Sequence, residues 1–208
     1  VLTGNGKAFC AGQDLAEVSD PNGPGFKQIL GEHYNPIIER IRSIAKPVIA
    51  AVNGVAAGAG ANIALCCDIV VASESASFIQ AFSKIGLIPD SSGTFFLPRM
   101  IGFQRASALM MMGDKVSATE ALSMGMLYKV FPDENFREEV GKIAHYLGSM
   151  PTHGLALTKK VLNESMTNSL YEQLSLEEKH QIEAGSTSDY KEGVTAFMEK
   201  RKPVFTGK

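Results

Sequence analysis

The sequence predicts an α/β fold whose last third is helical, and three observations carry that reading. Val48-Ile49-Ala50-Ala51-Val52 and Asp68-Ile69-Val70-Val71-Ala72 are short apolar runs rich in β-branched residues, the pattern of buried strands. Between them the small residues Gly58-Ala59-Gly60-Ala61 lead straight into Asn62-Ile63-Ala64-Leu65, which reads as a helix, so the stretch forms a βαβ-like unit. From residue 135 onward the pattern is amphipathic and helical. The chain therefore divides into an α/β part, residues 1–140, and a helical part, residues 141–208.

Composition bounds what such a chain does. At 208 residues it supports one ample core. The net charge is −2 and basic residues gather only near the C-terminus, which argues against a nucleic-acid surface. Three cysteines without paired spacing fit a reducing compartment, and Cys66-Cys67 read as small buried residues with no second Cys/His pair at zinc spacing. No run approaches the roughly 18 to 20 apolar residues of a membrane helix, and no signal peptide is expected.

In chain order, Val1-Leu2-Thr3-Gly4 reads as the end of a core strand and a turn, with no initiating methionine, so earlier strands are expected ahead of it. A glycine-punctuated loop follows, and Gln13-Asp14-Leu15 opens a short helix. Residues 20–25 are turn formers. A helix is expected from about residue 27 to 44, with an apolar stripe that includes Tyr34 and an interruption at Pro36. Asn53-Gly54 breaks the central strand. Gly86-Leu87-Ile88-Pro89-Asp90 presents a carboxylate on a turn before a helix that starts near Ser91. The apolar stretch Phe103 to Met112 is expected in the core. Ser117 with Glu120 is a capping-box start, Gly125 a stop, and 127–131 a brief strand. Helices follow over 135–147, 152–165, 170–185 and 189–200. The cations of the tail, Lys200 to Lys202, suit either phosphates or water.

The chemistry sits in the central unit. A strand that passes through glycine and alanine into a helix N-terminus lets a ligand oxygen approach bare backbone N–H groups. A carboxylate presented close by in sequence adds a proton acceptor, so the pair suggests proton transfer next to a carbonyl. Asp90 also suits a helix N-cap, and the residues alone leave both uses open.

Five stretches, KAFCAGQDL, KPVIAAVNGVAAGAGANIAL, CDIVVAS, FSKIGLIPDSSGTFFLPR and SATEALSMGMLYKV, occur in the order and spacing of the crotonase (enoyl-CoA hydratase/isomerase) superfamily, which the chain resembles from Val1 to its C-terminus. Within it the chain is most similar to the isomerases of ring epoxides in bacterial phenylacetate degradation. The resemblance implies a spiral of ββα turns, here without its first strands, and a helical C-terminal trimerisation region. It also implies homotrimers or dimers of trimers, a bacterial cytoplasmic setting, and acyl-CoA substrates with no cofactor beyond coenzyme A itself. By position, the backbone N–H groups of Gln13 and Ala59 would form an oxyanion hole for the thioester. Ala8 and Ala11, with Lys7, would border the adenine end of coenzyme A, and Asp14, Leu15, Asn62, Phe82 and Leu87 would line the substrate.

Departures from the family pattern decide the reaction. Asn62 and Phe82 stand where its hydratases carry two glutamates, and neither side chain accepts a proton at neutral pH. Asp90 is the remaining carboxylate in a usable place, and Phe82, Leu87, Ile88 and Phe95 are expected as apolar walls that raise its pKa. An acyl-CoA isomerase follows from the resemblance. The alternatives are a fatty 3,2-trans-enoyl-CoA isomerase, a hydratase drawing on Glu74, and a CoA-ester-binding oligomer without turnover. None of the four histidines lies in a matched motif.

Overall fold

Strands in this chain come in pairs, one for each of two sheets. The structure, a computed structural model, describes residues 1–208. Strands β1 (Leu2–Thr3) and β2 (Ala8–Cys10) lead to helix α1 (Leu15–Ser19). Helices α2 (Phe26–Gln28) and α3 (Asn35–Ser43) precede a second pair, β3 (Ile49–Val52) and β4 (Val55–Ala57), which runs into α4 (Ala59–Leu65). The third pair is β5 (Ile69–Ser73) and β6 (Ser77–Ile79), followed by a 3₁₀ turn over Ala81–Ile85 and then α5 (Gly93–Ile101). After α6 (Phe103–Met112), strand β7 (Lys115–Ser117) and α7 (Ala118–Met124), β8 (Lys129–Phe131) closes the first sheet.

One sheet has the order β1-β3-β5-β8, all parallel, and the other β2-β4-β6-β7, antiparallel only at β7. Each coil of the chain thus lays one strand on each sheet, the ββα spiral expected from the resemblance. The corner between the sheets explains Asn53-Gly54. Asn53 Oδ1 accepts from the Gly4 N–H at 2.9 Å and its Nδ2 donates to Gly6 O at 3.0 Å, so one coil is tied to the preceding one. A Cβ on Gly54 would stand 2.1 Å from the Lys7 carbonyl oxygen, leaving room only for glycine.

Two expectations change. The helix over residues 26–43 does not break at Pro36; it widens just before it, into a π turn over Ile29–Tyr34 in which the Asn35 N–H donates to Leu30 O. Proline lacks the N–H that an α register would need, and the wider turn moves that fault to its own junction. Helix α6 is not core throughout. Ala106 is buried, while Phe103, Met111 and Met112 are exposed.

Val1–Arg42 and Val48–Val140 form one compact unit, and Ser43–Pro47 with Gly141–Lys208 form another. The short 43–47 segment, assigned by sequence to the α/β part, belongs to the second unit. The core of the first unit is built from Ala50, Val52, Ala56, Leu65, Val70, Phe78 and Leu97 among others. Helix α8 (Phe136–Gly148) begins there with buried Phe136 and Val140. The second unit carries α9 (Thr152–Glu164), α10 (Leu170–Gly185) and α11 (Ser188–Met198). Buried Asp189 accepts from the Thr206 and Gly207 N–H groups at 2.7 and 2.8 Å, which fixes the last residues against α11. Of the tail cations, Arg201 is engaged by Glu192, at 2.6 and 2.9 Å, and by Glu199.

Candidate active site

A cavity of about 910 Å³ lies within the first unit, and it gathers segments far apart in sequence: the loop of residues 11–15, the π turn, the start of α4, the 3₁₀ turn and Asp90. Its walls are mostly apolar, with Val18, Phe26, Ile29, Phe82, Ile85 and Leu87 contributing.

Two backbone donors, on Gln13 and Ala59, line the cavity on either side of a close approach at Gly12. Gly12 has φ +87°, and a Cβ added there would come within 3.0 Å of Ala57 O and 3.4 Å of Ala59 N. Only a glycine lets the loop pass so close to the start of α4. Gly58, the cap of α4, has φ +54° and ψ −127°, again a glycine conformation, immediately before Ala59. No protein oxygen accepts from the Gln13 or Ala59 N–H, so both are free for a ligand oxygen. The Gln13 side chain turns away and donates to Glu17.

Asp90 is the half-buried carboxylate of the cavity. Loss of water on burial pushes its pKa above the ordinary carboxylate value, partly opposed by the Ser91 hydroxyl, which donates to Asp90 Oδ1 at 2.8 Å. The N-cap alternative fails. Ser92 occupies the cap position of α5, and the Asp90 side chain bonds to no N–H of that helix; only the Asp90 backbone oxygen does, accepting from Gly93 N at 2.9 Å. The turn is strained: Ser91 and Ser92 have φ of +48° and +66°, costing about 1 to 2 kcal/mol each in a left-handed conformation.

Of the residues predicted from sequence, Ala11, Gln13, Asp14, Leu15, Ala59, Phe82, Leu87 and Asp90 line this one cavity. Asp14 also caps α1, accepting from the Ala16 N–H at 2.9 Å. Ala8 does not line it, because it is held in strand β2 against Val55. Nor does Asn62, which is 1 % exposed and spends both ends of its amide within the protein. The expected walls Ile88 and Phe95 face outward. Ile88 is 81 % exposed, and Phe95 lies beneath the Arg99 guanidinium, 3.8 Å from the ring centroid. Ile85 and the π turn supply apolar wall in the same cavity.

Tyr34 and Lys84 are polar lining residues that sequence reasoning missed. Burial, and then the neighbouring Cys10, Asp90 and Glu17, push the Tyr34 hydroxyl above the ordinary phenol value. The tyrosine's place in an apolar stripe concealed it. The π turn sets Tyr34 and Ile29, five residues apart, on the same cavity.

The family model described as enoyl-CoA hydratase/isomerase matches residues 1–208. The chain is 49 % identical, over its whole length and 80 % of the relative's, to the 1,2-epoxyphenylacetyl-CoA isomerase of Escherichia coli strain K12. It is 38 % identical, over 99 % of this chain and 70 % of the relative, to the mitochondrial enoyl-CoA hydratase of Pongo abelii. Among solved structures, the enoyl-CoA hydratase of Bacillus anthracis superposes with a TM-score of 0.91 at 35 % identity, covering 99 % of this chain and 80 % of that one.

Proposed function

The chain belongs to the enoyl-CoA hydratase/isomerase family, and from that premise we propose that it isomerises an acyl-CoA thioester by a proton shuttle through Asp90. The observation that carries this reading is the single cavity in which two free backbone N–H groups and one half-buried carboxylate meet. No carboxylate stands at Asn62 or Phe82, so an activated water has no pair of acids to work between, which favours isomerisation over hydration.

In this reading the thioester oxygen accepts from Gln13 N–H and Ala59 N–H. The Asp90 carboxylate takes a proton from the carbon next to the carbonyl, and the electron pair passes to the oxygen as an enolate held by the two donors. The same carboxyl group then returns the proton two carbons along, with the double bond shifted. Loss of one comparable donor costs about 3 to 4 kcal/mol of barrier lowering elsewhere. A carboxylate raised toward neutrality by burial is suited to act first as base and then as acid. Coenzyme A enters only as part of the substrate.

The finer assignment is a ring epoxide next to the thioester, opened toward an oxepin in phenylacetate breakdown. It rests on the 49 % identity to the named isomerase and on the aromatic walls Phe26, Phe82 and Tyr34. A fatty 3,2-trans-enoyl-CoA isomerase needs the same groups and is the second reading. A homotrimer or dimer of trimers in the bacterial cytoplasm completes the proposal; the three cysteines, all free, fit a reducing compartment.

The test is turnover of cis-3-enoyl-CoA, and separately of the epoxide of phenylacetyl-CoA, in deuterated water. Ultraviolet spectra and mass spectrometry follow the product, beside Asp90→Asn. A shifted double bond or ring-expanded product with deuterium incorporated, and a loss of at least about a thousandfold in kcat for the variant, is expected. Hydrated product, or turnover unchanged in Asp90→Asn, overturns the mechanism. Tight ester binding without any product supports the non-catalytic alternative instead.

A further inference from the structure

Beneath Asp90 lies a buried pair of amides that never reaches the cavity. Asn62 Nδ2, on α4, donates to the Asp90 backbone oxygen at 2.8 Å. Gln80 Nε2, just after β6, donates to Asn62 Oδ1 at 2.8 Å. Both side chains are almost wholly buried, at 1 % and 4 % exposure. A Cβ on Gly93 would come within 2.4 Å of Asn62 Nδ2, so the amide sits hard against the start of α5. Asn62 on α4 and Gly93 at the start of α5 therefore meet at a single carbonyl, with Gln80 behind the asparagine.

We infer that Asn62 and Gln80 are positioning residues: they set the Asp90 main chain, and through it the carboxylate, for proton transfer. The inference rests on Asp90 being the base. The physical argument begins with the turn. Two consecutive left-handed serines follow Asp90, a conformation that persists only where the surroundings over-determine it. The Asp90 carbonyl is the hub of that turn, accepting from both Gly93 N and Asn62 Nδ2. Without the amide, one of its two bonds is gone and the serines are free to relax toward ordinary angles, carrying the carboxylate with them.

Gln80 has a distinct task. An amide can point either its NH₂ or its oxygen at a neighbour, and only the NH₂ is useful toward a carbonyl. The Gln80 N–H, placed against Asn62 Oδ1, selects that orientation. A carboxylate at position 62 would set oxygen against oxygen. The asparagine therefore has a chemical reason that is separate from substrate contact, and Gln80 acts only through it. That one-way dependence is what the test reads.

The experiment measures Asn62→Ala, Gln80→Met and the double variant beside Asp90→Asn. The readouts are kcat, KM, the pH dependence of kcat, and thermal midpoint, on whichever ester the parent turns over. Asn62→Ala is expected to lose about 10- to 100-fold in kcat with KM changed by less than about threefold. The acid limb of its kcat profile should also shift, because the carboxylate moves within its burial. Gln80→Met keeps the volume and is expected to lose less. The double variant should match Asn62→Ala, since Gln80 has nothing left to orient.

If kcat and the pH profile stay at parental values in Asn62→Ala, or in Gln80→Met where the alanine variant does not fold, the inference is overturned. Parallel, additive losses in thermal midpoint, with kcat unchanged per folded molecule, overturn it too by showing a packing role. Activity persisting in Asp90→Asn removes the premise rather than the pair, and so separates failure of the base from failure of its support.

Discussion

Asp90 is one carboxylate balanced between burial, which disfavours its charge, and the Ser91 hydroxyl, which favours it. The sign of that balance gives a prediction. The base form exists above the pKa, so kcat/KM falls as pH drops through it, and the acid limb lies above an ordinary aspartate's. Ser91→Ala removes the stabilising hydrogen bond, raises the pKa further, and should move the limb to still higher pH in a kcat/KM profile. An unmoved or lowered limb contradicts this account of Asp90. The carboxylate was legible in the sequence because a Pro-Asp turn before a helix presents a side chain whatever packs around it. Its walls were not: Ile88 and Phe95 sit as near in sequence as Leu87, and only the path of the turn decides that they face water. Asn62 was singled out by the resemblance as lining the substrate, and position along α4 does not say whether its side chain meets a ligand or, as here, a neighbouring carbonyl.

At the scale of elements, the site depends on where short pieces end. Strands β2, β4 and β6 have three residues each, too few for an alternation to show, and all three escaped the sequence reading while the four- and five-residue strands of the other sheet did not. One helix cap was fully legible. The Ser117–Glu120 box closes as its spacing requires, because it lies within four consecutive residues and needs no tertiary partner. The π turn was illegible, since nothing in six residues distinguishes it from an α turn until Pro36 and the cavity compete for register. The junction of β4 with α4 yields a prediction of its own. A Cβ at Gly58 meets nothing closer than the Phe82 ring at 3.8 Å, so Gly58→Ala has space but not the conformation. It should lower stability by about 1 to 3 kcal/mol and reduce kcat as the Ala59 N–H swings off line. Thermal unfolding and steady-state kinetics check both, and a variant unchanged in each would show that the cap angle does not matter.

For the whole molecule, the exposed apolar residues carry the information. Phe103, Met111 and Met112 on α6, and Tyr171, Phe197 and Met198 in the second unit, are uncovered in a single chain. The proposed trimer would bury apolar side chains of this kind. Light scattering is expected to give three or six times the 22.3 kDa chain mass, and Phe197→Glu to shift it downward; a monomer in the parent protein would refute the trimer. No helix is long and apolar enough to cross a membrane. The half-buried Asp90 carboxylate, finally, has a stereochemical meaning. With a single group removing and returning the proton, departure and delivery take place on the same face of the acyl plane. The proposed rearrangement is therefore suprafacial, and a hydrogen isotope placed on that face travels with the carboxyl group whenever return outruns exchange with water.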